Sequence, residues 1–270
     1  SDPLHTDKIL FDNGNKQQSV DLVTLVKDAV FIFPDQDPLT MEIENLALND
    51  EALNLKGRFL NDNELTFSNE KAYVIYGYAA VPANKTLTIE AGARIHFHDE
   101  SGLIIDKDAT LLINGTIDEK VVFEGDRLEN LYSTIPGQWG IIWMRAGSKN
   151  NKINHTIIKN GTIGVLVDSI GPTSEPTLTL QNTEIYNHTS YSLLGRNTNI
   201  EAYNIVIGNS GESSFAGISG GNYNFTHAIF ANFWNNSIGS SPSVVINNIF
   251  TTQDENGNIT TETMDLDEAS

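Results

Sequence analysis

Four times in the second half of the chain an asparagine stands two positions after an apolar residue: Ile158 and Asn160, Ile185 and Asn187, Ile207 and Asn209, Phe230 and Asn232. The asparagines are 27, 22 and 23 residues apart, too short for domains and regular enough for one supersecondary unit stacked on the next. Residues leading into each, as in Lys152-Ile153-Asn154-His155-Thr156-Ile157-Ile158, alternate polar with β-branched types, which is the periodicity of a strand. Such a unit cannot bury its apolar face alone and must stack on its neighbours. The spacing therefore predicts an all-β solenoid, a parallel β-helix of single strands. Asn160, Asn187, Asn209 and Asn232 are read as structural: the amide can bond turn backbone and the Asn of the next coil, and Asn tolerates the left-handed conformation that corners need.

Along the chain, Lys8–Asn15 and Gln18–Val26 flank Asn13-Gly14, a hairpin signal. A hairpin alone is marginal in water, so residues 1–33 are expected to cap the solenoid or to close a sandwich-like module. Residues 34–72, acidic with scattered leucines, read as a linker or irregular cap. Rungs run from Tyr73 to residue 253, with Leu87, Ile89, Ile95 and Phe97 on one face by alternation. Residues 254–270 read as an acidic tail approaching a further coil. Interruptions are expected at Glu119–Pro136 and Asp168–Pro176, and Trp139, Ile141 and Trp143 are expected to share a face.

Charge narrows the partners. There are 35 acidic against 16 basic residues, a net charge of −19, which argues against nucleic acid and against an anionic membrane surface. Without cysteine there is no disulfide, thiolate metal site or cysteine nucleophile. No run approaches the eighteen or so apolar residues of a membrane span, so any membrane association would come through a lipid anchor upstream of Ser1.

The runs Ala72–Tyr78 and Leu87–His98, the Pro136-Gly137-Gln138-Trp139 turn and the Ile157–Gly161 corner resemble a group of surface lipoproteins of Gram-negative gut-type bacteria. Those carry an immunoglobulin-like sandwich followed by a right-handed parallel β-helix of the pectate-lyase-like kind. The resemblance covers nearly the whole chain. It implies right-handed coils, residues 1–33 as the sandwich's closing strands, an extracytoplasmic location anchored at the outer membrane, and a binding or adhesive role, with no catalytic residues to carry over.

Right-handed β-helices also include polysaccharide lyases and hydrolases, so the acids need weighing. Lyases use Arg or Lys as base beside a neutralised sugar acid, and hydrolases need carboxylates a few ångströms apart. The five arginines are scattered, and across residues 137–253 the acids are Asp168, Glu175, Glu184, Glu201 and Glu212; Glu184 and Glu201, on successive coils, are the candidates for a catalytic alternative. His96 and His98 share a strand face beside Asp99 and Glu100, a weak metal candidate that lacks a defined third ligand; no cofactor is expected. Tyr132, Tyr186, Tyr203 and Trp234 are the candidate ligand-binding rings, since exposed aromatics laid out along a solenoid can stack on sugars. The expectation is a monomeric, non-catalytic protein that binds an extended polysaccharide or glycoconjugate or serves in adhesion, with an enzyme second and a structural spacer third.

Overall fold

The computed structural model describes residues 4–12, 14, 16–25, 28–48, 54–168, 175–236, 241–253, 259–263 and 268–269. Its body is a parallel β-helix with three ladders. One runs through Ala29–Ile32, Ala72–Ile75, Arg94–Phe97, Val121–Gly125 and Thr156–Lys159; the second through Gly57–Phe59, Tyr78–Val81, Gly102–Ile105, Trp139–Met144 and Gly161–Asp168; the third through Thr66–Phe67, Thr86–Glu90, Thr110–Asn114 and Asn151–Asn154. Beyond these, the long strands Leu178–His188, Leu193–Ser210 and Phe215–Ala231 bend at corners and serve more than one ladder each.

The ladders start before the expected boundary at Tyr73. Ala29 pairs with Ala72, Gly57 with Tyr78, and Thr66 with Thr88, so the strands Ala29–Ile32, Gly57–Phe59 and Thr66–Phe67 supply a first coil. Leu60 and Phe67 enter the core there. Strands of two or three residues carry too little alternation to be read from sequence.

The main core runs the length of the solenoid, from Ile32 and Phe67 through Leu87, Ile89, Ile95 and Phe97 to Phe215 and Tyr223. Trp139 belongs to it, 1% exposed and stacked 4.6 Å from Phe97, and its indole N–H donates to the Lys159 carbonyl at 2.9 Å. The expected common face of Trp139, Ile141 and Trp143 is broken. The register slips between Ile141 and Ile142, so Trp139, Ile142 and Met144 point inward while Ile141 and Trp143 lie half-exposed outside.

Two corners are built from amides. At the first, Asn160, Asn187 and Asn209 take φ of 68°, 60° and 52°, and Asn187 Nδ2 donates to Asn160 Oδ1 at 3.5 Å. Asn232 ends that column differently, accepting from Ser210 N at 2.8 Å and donating to its carbonyl at 2.9 Å. The second corner has the same period: His155, Asn182, Asn204 and His227 all have positive φ, and Asn204 donates to Asn182, and Asn182 to Asn154, at 2.8 and 2.9 Å.

Leu4–Asp12 and Gln17–Leu25 form an antiparallel hairpin that, among the described residues, pairs with no other strand. Asn13 of its turn lies outside the described residues, as does most of the interruption expected after Asp168. At the far end Ile249–Gln253 leaves the solenoid to pair antiparallel with Ile259–Thr263, so the expected final rung stops after Val244–Ile246. Glu268–Ala269 returns to pair parallel with Asn222–Tyr223; residues 254–258 of the expected acidic tail lie outside the described residues.

Candidate functional site

A groove of about 860 Å³ lies on the outer side of the second ladder. Its floor is Tyr78. This residue stands in register with Gly102 on the next coil, and Gly140 lies one coil further on, its N–H donating to the Ser101 carbonyl at 2.8 Å. A Cβ at Gly102 would lie 2.6 Å from Tyr78 Cε1, and one at Gly140 would lie 2.5 Å from its Oη. Glycine at both positions leaves room for the ring over the two following coils. Burial, with a contribution from Glu100, raises the phenol pKa above its ordinary value, so the hydroxyl is a neutral hydrogen-bonding group at physiological pH.

One wall is an aromatic stack. Phe33 and Tyr76 are 4.9 Å apart between ring centroids, and Tyr76 and His98 are 4.5 Å apart. These rings stack on one another along the groove. His98 Nδ1 is 2.7 Å from Asp126 Oδ2 on the following coil, which orients the imidazole. Asp99 and Glu100 follow on the rim, both exposed. The facing wall is the segment around Pro34, Gln36, Ile43 and Asn54–Lys56. It is pinned by Leu46 and Leu48, which pack on Ala80 and Ile104 of the second ladder, and by Lys56 Nζ donating to the Ile43 carbonyl at 2.8 Å. Ile141, Thr162 and Ile163 close the far end.

The residues singled out from sequence lie elsewhere, apart from His98. Tyr132 sits in the loop after Val121–Gly125 with the Arg127 guanidinium 4.0 Å above its ring. Tyr186 is half-buried, its phenol pKa raised chiefly by burial, and Trp234 is half-buried near the last coil. Tyr203, 48% exposed, and Glu201 border a separate shallow depression of about 180 Å³, where His227 meets Tyr203 edge to face.

Glu184 and Glu201 are not brought together. Glu184 pairs in register with Ile157 and Val206, and Glu201 with Thr179 and Asn224. The Asn182 and Asn204 corner separates the two columns, and Glu184 is ion-paired with Lys120 at 2.7 Å. His96 and His98 take different carboxylates of the next coil. His96 is 7% exposed and 3.6 Å from Glu124, whose other oxygen takes Lys159 at 2.9 Å, while His98 faces Asp126. Burial lowers the His96 pKa. Among the described residues no three His, Asp or Glu side chains are grouped so as to hold a metal ion.

The sequence reading missed Tyr78, Tyr76 and Phe33. The signal lay in two glycines, Gly102 and Gly140, that stand at no corner.

Residues 58–166 match the family of the pectate-lyase-like β-helix domain. No curated protein and no solved structure matches the chain. The three ladders make the fold a parallel β-helix, and residues 58–166 of it are similar to the pectate-lyase-like domain. The matched region contains Tyr76, Tyr78, His98, Gly102, Gly140 and Ile163, whereas the wall at residues 33–56 lies outside it.

Proposed function

We propose that the protein is a non-catalytic β-helix that binds an extended polysaccharide or glycoconjugate in the groove over Tyr78. The observation that carries this reading is the Tyr78 ring, placed over Gly102 and Gly140 and lining a groove of about 860 Å³. A flat aromatic face takes up the apolar face of a pyranose, and Tyr76 and His98, the Gln36 and Asn54 amides and the two rim carboxylates supply polar contacts around it. An extracytoplasmic, surface-bound setting suits such a task, because extended glycans are met there.

Affinity electrophoresis through gels containing neutral or acidic polysaccharides tests it, with the same mixtures assayed for new chain ends. Retardation without new ends, reduced about three- to tenfold in apparent affinity by Tyr78→Ala on the scale of one aromatic contact, is the expected result. Absence of retardation in every gel, or retardation that Tyr78→Ala leaves intact, would overturn it.

One observation favours an enzyme as the second reading. His98, oriented by Asp126 and bordering the groove next to Asp99 and Glu100, has the form of a proton-transfer group held by a carboxylate. New chain ends that disappear in His98→Gln would establish that alternative.

A further inference from the structure

We infer, resting on the glycan-binding reading, that the groove takes an uncharged polysaccharide and rejects polyuronates, the acidic chains that a pectate-lyase-like fold would suggest by analogy. The argument is electrostatic and starts from the groove's own charges. Its lining holds two carboxylates, Asp99 and Glu100, and Asp126 stands directly behind His98. Among the described residues neither Asp99 nor Glu100 has a cation paired with it; Asp99 Oδ1 accepts from the Glu100 N–H at 2.9 Å.

Among the described residues the only lysine or arginine in the lining is Lys56, and its ammonium is bound to the Ile43 carbonyl. The nearest guanidinium in sequence, Arg58, is turned away: it bonds the Glu64 carboxylate at 2.6 and 2.7 Å and the Phe33 carbonyl at 2.9 Å. A polyuronate carries one carboxylate per sugar, and each would approach unpaired carboxylates without a free guanidinium or ammonium to meet it. Like charges brought together in this way repel, and the net charge of −19 adds long-range repulsion.

Calcium could in principle bridge sugar acids to the protein, but that needs several clustered oxygen ligands, and no such group is present among the described residues. The same carboxylates suit a neutral sugar well. An ionised carboxylate accepts hydrogen bonds from hydroxyls, and such charge-assisted bonds are stronger than neutral ones. The Tyr78 face needs no charge in its partner.

Isothermal titration calorimetry of the wild-type protein distinguishes the cases, using cello-, manno-, xylo- and galacto-oligosaccharides, chitosan oligosaccharides and oligogalacturonate of matched length, the last with and without calcium. At least one neutral series should bind at least tenfold more tightly than oligogalacturonate in either condition, with affinity unchanged between low and high salt. Asp99→Asn with Glu100→Gln should narrow that gap. Oligogalacturonate binding as tightly as the best neutral series, with or without calcium, would overturn this inference and leave the glycan-binding reading standing. Chitosan oligosaccharides binding more tightly than every neutral series would also overturn the uncharged assignment. Binding of none of these probes would overturn both.

Discussion

The ring of Tyr78 fills the space that a side chain at Gly102 would need, 2.6 Å from the position of that missing Cβ. The same Cβ would also lie 2.4 Å from the Ile141 carbonyl oxygen, which is backbone and cannot yield. Gly140 differs, because its closest obstacle is the Tyr78 hydroxyl at 2.5 Å, with the Ser101 carbonyl further off at 2.9 Å. We therefore expect Gly102→Ala to destabilise the fold by about 2–3 kcal/mol, the range of an overpacked site. Tyr78→Ala should relieve little of that cost at Gly102 and a larger share at Gly140. A double-mutant cycle by urea denaturation measures both couplings; equal relief at the two positions would show that the ring, and not the neighbouring strand, sets the limit at each.

The second corner predicts a different pattern. Asn182 sits in the middle of its amide column, donating to Asn154 and accepting from Asn204, with φ of 50°. Asn182→Gly removes both hydrogen bonds but suits the left-handed backbone, whereas Asn182→Ala also places a Cβ where alanine is strained. Losing the bonds should cost about 1–2 kcal/mol, and alanine should cost about 1 kcal/mol more than glycine. If alanine is the milder substitution, backbone strain is not what Asn relieves there.

Much of the architecture could be read from the sequence because a solenoid repeats its requirements. The asparagine column at 160, 187, 209 and 232 shows its period in a single residue type. The second corner has the same spacing, but His155, Asn182, Asn204 and His227 mix two types and so escape a search for a repeated residue. The groove was hidden for a stronger reason. Tyr78, Gly102 and Gly140 meet only because coils of unequal length fall into register, and a loop between Gly125 and Trp139 stretches the second interval. The outer wall around Ile43 and Leu55 comes from a segment without strand periodicity, fixed by Leu46 and Leu48 on a surface that alternation alone marks as exposed. Rings such as Tyr203 looked equally suitable in the sequence, since exposure is visible to patterning and concavity is not.

Glu184 gives a prediction of small effect. Its ion pair with Lys120 joins side chains 38% and 36% exposed, and pairs so open to water contribute little. Glu184→Gln should lower stability by less than about 1 kcal/mol and leave polysaccharide retardation unchanged, because the residue faces a different ladder from the groove. Loss of binding in this variant would move the site away from Tyr78.

His188 sets the acid sensitivity of the middle coils. Its ring is fully buried, with Nδ1 3.1 Å from Ser192 Oγ and Nε2 without a partner, and burial pushes its pKa down to about 3. The unfolded chain takes up a proton near pH 6.5, whereas the folded one resists until about pH 3, so between these values the unfolded state binds more protons and stability rises with pH. The contribution is complete above pH 6.5 and declines as the solution is acidified, by about 3 kcal/mol between pH 7 and pH 4.5 at 1.36 kcal/mol per unit. His188→Leu keeps an apolar group beside Trp139 and removes the titration. It should lower stability at pH 7, through cavity and shape changes, yet flatten the dependence between pH 7 and 4.5 by about that amount; the part that remains includes His96, whose pKa burial also lowers. Urea denaturation of both proteins across this range decides the matter: parallel curves would mean that His188 takes up its proton in the folded state and that the coil opens to water around it.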